Sequence, residues 1–152
     1  MANRTRTPCV GICSTTYGDD VCRGCKRFSF EVINWNAFKP EEREAIWKRL
    51  EMLKSQIMAS RLKIYDPKKL EKSIKQFQLK IKDDLNDLSK AFEVIKQVSE
   101  SFSNLDEFGI DVLEKNKSLT ALKEEIENEL YSLSKAHYEK YFIDPLNKNK
   151  SM

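Results

Sequence analysis

Cysteine is absent from residue 26 onward, histidine occurs once, and glycine and proline four times each. Sparse glycine leaves no glycine-rich phosphate loop, and a single histidine excludes a His-Glu-x-x-His metalloenzyme site. His137 lies far along the chain from the cysteines and reads as an ordinary helix residue rather than a ligand or the partner of a catalytic thiol. No general base stands beside a nucleophile, so no enzyme is expected. No apolar run approaches the roughly 20 residues that span a bilayer. The basic start Met1–Thr7 is not followed by an apolar stretch, so no secretory signal is expected and the expected location is cytoplasmic.

What the chain does have is concentrated at its start. Cys9, Cys13, Cys22 and Cys25 read Cys-x3-Cys, eight residues, then Cys-x2-Cys. Two close pairs joined by a short loop can converge four thiolates on one ion. In a reducing compartment clustered thiols are ligands more often than disulfides. The alternatives are two disulfides or four buried, unliganded thiols. Cys22-Arg23-Gly24-Cys25 also has the spacing of a thioredoxin-type redox pair, but no βαβ pattern surrounds it. Gly11, Gly18 and Gly24 lie among the cysteines, where a chain wrapping a small ion needs backbone freedom.

Charge is uneven along the chain. Residues 1–62 hold 11 Lys/Arg against 7 Asp/Glu, and residues 63–152 hold 16 against 17. The basic excess flanks the cysteines, at Arg4, Arg6, Arg23, Lys26 and Arg27. Four thiolates around a divalent cation carry a net −2, which these residues would offset. A phosphate-contacting patch is the sharper reading. The mixture Arg27, Phe28, Phe30, Trp35 and Lys39 could stack on single-stranded nucleic acid, or form the small core beneath a metal knuckle.

The rest reads as mainly α. Ser29 is placed to cap a short helix over Phe30–Trp35, and Pro40 to open a longer one with Glu41 and Glu42 in its first turn. Ile46, Leu50, Leu53 and Ile57 then make one apolar face, with Phe38 packing back on it. Phe30, Ile33, Trp35, Phe38 and Trp47 are the expected bulk of a small core. The expected domains are residues 1–62, metal-binding with short helices, and 66–152, a helical extension. Asp66-Pro67 opens the second as N-cap and first helical residue. Apolar residues recur at threes and fours from Leu70 to Phe102, which predicts one helix about 50 Å long. A break over Asn104–Lys117 and a last helix from Ser118 to about Ile143 would complete a long antiparallel αα-hairpin, with a fraying tail at Asn147–Met152. Its heptad-like stripes could form a coiled-coil seam or a homodimer interface.

Pro8-Cys9-Val10-Gly11-Ile12-Cys13, then Val21-Cys22-Arg23-Gly24-Cys25-Lys26-Arg27, then Trp35 and Glu41-Glu42-Arg43-Glu44-Ala45-Ile46-Trp47 form a specific succession. Over about residues 7–53 it resembles domain of unknown function 1289, a family of short bacterial proteins often labelled predicted iron–sulfur proteins. The resemblance implies that Cys9, Cys13, Cys22 and Cys25 are the metal ligands. It does not extend to residues 66–152.

Four thiolates suit a closed structural Zn2+ site, which would supply folding free energy that so short a segment cannot obtain from apolar burial. They equally accept an iron–sulfur cluster. Zn2+ is favoured because the loop is compact and only Val10, Ile12, Tyr17 and Val21 stand between Cys9 and Cys25 to shield a cluster. The expectation is a non-enzymatic metal-binding protein whose structural four-cysteine site supports interaction with a protein or nucleic acid, not a membrane. The alternative is an iron–sulfur redox or sensor protein.

Overall fold

The computed structural model of the chain describes residues 7–9 and 13–140. Arg4, Arg6, Gly11, Tyr141 and the tail Asn147–Met152 lie outside the described residues. The architecture is mainly helical, as expected. The elements are α1 (Ser29–Asn34), α2 (Pro40–Arg61), β1 (Leu62–Ile64), α3 (Pro67–Gln76), α4 (Asp87–Val98), β2 (Ile110–Val112) and α5 (Leu119–Tyr138). No helix among the described residues is long and apolar enough to cross a membrane. The chain divides into two compact units. One combines residues up to Leu53 with those from Glu129 onward, and the other is Lys54–Asn128.

In the first unit, Ser29 is the first residue of α1 rather than its cap. The end is closed by Glu31, whose carboxylate reaches back to accept the Phe28 N–H at 2.8 Å. Pro40 opens α2, and Glu42 accepts the preceding Lys39 N–H at 2.9 Å. Trp35, Ile46, Trp47 and Leu50 form the core, with Phe38 packed against it. Two residues expected there are elsewhere: Phe30 is exposed, and Ile33 is 77% exposed. The cause is helical phase. Phe28, Glu31 and Trp35 share the buried face of this short helix, and Phe30 and Ile33 fall on the other.

In the second unit, Asp66 caps α3 by accepting the Lys69 N–H at 3.1 Å, with Pro67 at the first helical position, as the sequence indicates. The single helix expected from Leu70 to Phe102 is instead two, so the long hairpin is replaced by α3, α4, a strand and α5. After Gln76 the chain reverses through Gln78, whose φ is 54°. Asn86 then caps α4 by accepting the Ser89 N–H at 2.8 Å. The Gln97 side chain accepts the Lys80 N–H and donates to the Lys80 carbonyl, both at 3.0 Å, which fastens the linking loop. The reversal lets Phe77 meet Phe102 and Phe108, with ring centroids 5.2 and 5.6 Å away. In one straight helix Phe77 and Phe102 would stand roughly 40 Å apart. Part of the stripe considered as a dimer seam is buried within the unit, at Leu70, Phe92, Ile95, Val98, Leu122 and Ile126, while Phe77 is 37% exposed.

The unexpected element is a small antiparallel sheet. Leu62, Lys63 and Ile64 of β1 pair with Val112, Asp111 and Ile110 of β2. Gly109 leads into β2 with φ 66°, and its carbonyl accepts the Tyr65 N–H at 2.9 Å. Ser118 accepts the Ala121 N–H at 3.1 Å and so starts α5 where the sequence places it. Beyond residue 140 the expected end of that helix lies outside the described residues.

Candidate metal centre

Cys22 and Cys25 occupy a tight reverse turn. Val21 and Phe28 form an antiparallel bridge at its base. Inside it the Cys22 N–H donates to the Arg27 carbonyl and the Lys26 N–H to the Cys22 carbonyl, each at 2.8 Å. Closure requires a left-handed residue, and this is Lys26, at φ 68°. Gly24, expected to ease the turn, is not the residue with positive φ. Lys26 is buried, and its ammonium donates to the carbonyls of Arg23 and Gly24 at 2.5 and 3.1 Å. With those carbonyls held by the ammonium, the N–H groups of Gly24 and Cys25 are left to face the Cys22 sulfur, and the Ser14 N–H joins them.

The electrostatics of the two sulfurs diverge. Burial opposes ionisation of Cys22, but the N–H groups of Cys25, Ser14 and Gly24 and the Cys25 thiol outweigh it and lower the pKa from 9.0 to about 7. Cys25 is pushed up, first by burial, although the Arg27 Nε–H donates to its sulfur at 3.2 Å. The Arg27 guanidinium also lies 5.0 Å from the Trp35 ring centroid. Cys22 is 1% exposed and Cys25 7%, and neither they nor the other two cysteines form a disulfide. Val21, Phe28 and Trp35 are buried beside this turn, so more apolar bulk surrounds the pair than the cysteine loop alone suggests.

The other pair is less closely engaged. Cys13 precedes a short 3-10 turn at Ser14–Tyr17, and its sulfur is 2.8 Å from the Thr15 hydroxyl. The Ser14 hydroxyl accepts the Arg23 N–H at 2.8 Å, which joins the Cys13 segment to the Cys22 turn. Cys9 is exposed, with its N–H donating to the Thr7 hydroxyl at 3.2 Å. Among the described residues no three His, Cys, Asp or Glu side chains are grouped as a metal ion requires. His137 lies in the last turn of α5, partly exposed.

Three of the five aromatic and basic residues considered for stacking on nucleic acid, Arg27, Phe28 and Trp35, are buried. They are structural here. Arg23 is exposed, pairs with Asp19 at 3.3 Å and lies 4.5 Å from the Tyr131 ring centroid. The foundation of the turn is the Glu31 carboxylate. It receives both terminal nitrogens of Arg49, at 2.6 and 2.7 Å, while the Arg49 guanidinium stacks 4.0 Å from the Phe28 ring centroid. Sequence reasoning missed Ser14, Glu31 and Arg49, and read Lys26 only as charge beside the cysteines, not as the left-handed residue of the turn. Only Glu31, three residues after the N-cap position Phe28 of a short helix, carries a local signal of its role.

No curated protein and no solved structure matches the chain. Residues 7–54 match the model of a family described as protein of unknown function (DUF1289), and the resemblance read over about residues 7–53 is thereby borne out for this segment.

Proposed function

We propose that the segment 7–54 is a non-enzymatic metal-binding module in which Cys9, Cys13, Cys22 and Cys25 hold one Zn2+ and thereby support interaction with another macromolecule. The observation that carries this reading is the Cys22–Cys25 turn, whose backbone N–H groups converge on a sulfur and favour its thiolate. Thiolate sulfur is the donor zinc takes in closed structural sites. Lys26 and Arg27, buried at the turn, offset part of the negative charge that four thiolates bring. The donor chemistry of Cys22 and Cys25 fits the ion, and the bond between Ser14 and Arg23 links the Cys13 segment to them. Drawing in Cys9 would be the work of the ion, because segments of this kind fold on their metal. A closed four-thiolate site leaves no open position for substrate, which argues for a structural role.

An iron–sulfur cluster is the second reading. It is favoured by the near-complete burial of Cys22 and Cys25 beneath Val21 and Phe28, since clusters are tuned by hydrogen bonds to sulfur and by exclusion of water. Titration of the metal-free chain with Co2+ tests the first reading. Tetrahedral thiolate coordination should give intense visible absorption that saturates at one equivalent and is displaced by Zn2+. A chain that takes up no Co2+ but assembles a coloured cluster from iron and sulfide would replace it with the second.

A further inference from the structure

Charge within the Lys54–Asn128 unit is segregated along the chain. Residues 63–82 hold seven lysines against two acids, Asp66 and Glu71. The remainder of the unit holds seven basic residues against twelve acidic ones. Both acids of the basic segment are already engaged. Asp66 caps α3, and Glu71 pairs with Lys90 at 2.5 Å. Lys68, Lys72 and Lys75 are exposed and recur at intervals of four and three, so they stand in a row along one face of α3. They line an open groove of about 570 Å³ with Pro67, Glu71 and Asp87. At the start of the helix Tyr65 is 50% exposed, with its hydroxyl donating to the Asp106 carbonyl at 3.3 Å. Phe77, at the other end, falls on the opposite face, where it rests on Phe102 and Phe108.

From the lysine row and the exposed Tyr65 ring at its start we infer that the exposed face of α3 is a contact surface for single-stranded nucleic acid, with Lys68, Lys72 and Lys75 meeting successive phosphates and Tyr65 a base. One helical turn, about 5.4 Å, sets the spacing of the ammoniums and is of the order of the step between neighbouring phosphates of a strand. A cationic track with an exposed aromatic ring at its start suits a strand whose bases are unpaired. A lipid surface fits less well: a membrane-binding helix needs a free apolar face, and Leu70 of α3 is fully buried. An acidic peptide would use the ammoniums but give the Tyr65 ring no role. The surface lies wholly outside the cysteine segment, so this inference and the metal reading stand or fall separately.

Anisotropy of short labelled oligouridylate and oligothymidylate strands, titrated with the full chain at several salt concentrations, tests it. Binding should weaken with salt, with a log–log slope of about −2 for three phosphate contacts. K68Q/K72Q/K75Q should lower affinity about tenfold or more and flatten the slope. K68R/K72R/K75R should restore both, and Tyr65→Leu should weaken binding a few-fold with the slope unchanged. Matched K48Q/K115Q/K123Q should leave affinity and slope alone. A preference for either strand places the selectivity in the 2′-hydroxyl or the thymine methyl and supports the inference. Absence of binding at low salt, equal loss in the matched triple, or lysine-dependent capture of phosphatidylserine vesicles or polyglutamate in place of the oligonucleotides overturns it.

Discussion

At the scale of single residues, the two sulfurs of one turn are held in opposite states. Cys22 is drawn toward its thiolate by N–H groups, and Cys25 is kept toward its thiol by burial. Because the Cys22 pKa is lowered in the folded chain, its contribution to stability is complete above the unfolded value of 9.0 and is lost as pH falls through about 7. In metal-free, reduced protein, ultraviolet titration of thiolate should therefore show a step near pH 7 that Cys22→Ser removes. Unfolding in urea should become harder between pH 7 and 9 in the parent but not in that variant. Glu31 offers a second test, because its carboxylate holds both Arg49 and the Phe28 N–H. Glu31→Ala leaves a mostly buried guanidinium and a buried N–H without that acceptor and should cost about 3 kcal/mol in urea denaturation followed by tryptophan fluorescence. Glu31→Met with Arg49→Met should cost less than the single change, because no charge is then stranded.

At the scale of elements, caps and phases decide what the chain does. Asp66-Pro67 and Pro40 were legible because each supplies a start signal that physics reads locally. Asn86 supplies one as well, but the apolar run across residues 77–86 continues at helical spacing and masks it. The helix breaks there because Phe77, Phe102 and Phe108 gain a shared cluster that no straight helix allows, a tertiary effect absent from periodicity. The strands Leu62–Ile64 and Ile110–Val112 escaped for a related reason: three residues alternate too briefly to be distinguished from a helix end or a loop. Gly109 is the residue on which this sheet turns. A Cβ there would stand 2.5 Å from the Asp66 carbonyl oxygen, at a φ that only glycine adopts cheaply. Gly109→Ala should cost about 2 kcal/mol or more, read as a lower urea midpoint by far-ultraviolet circular dichroism, whereas Gly18→Ala, with open space around it, should cost about 1 kcal/mol.

At the scale of the whole molecule, the cysteine segment and the basic segment of α3 fall in different compact units, and the two can be followed independently. Both tryptophans, Trp35 and Trp47, belong to the unit that holds the cysteines. Chelation should change their fluorescence and raise amide exchange across residues 13–35, while exchange in α4 changes less. Equal loss of protection in both would mean that the metal supports the entire chain. The four cysteines were legible as candidates because thiol spacing is a local property. The surroundings were not, since Lys26 takes a left-handed turn position usually left to glycine, and Arg49 reaches Glu31 across 18 residues.

The most direct test is elemental analysis of the chain purified in its native state without added metals, beside C9S/C13S and C22S/C25S variants. The account predicts one zinc per chain in the parent and none held stoichiometrically in either variant. A metal-free parent, or variants that keep the parent's metal content, would contradict it.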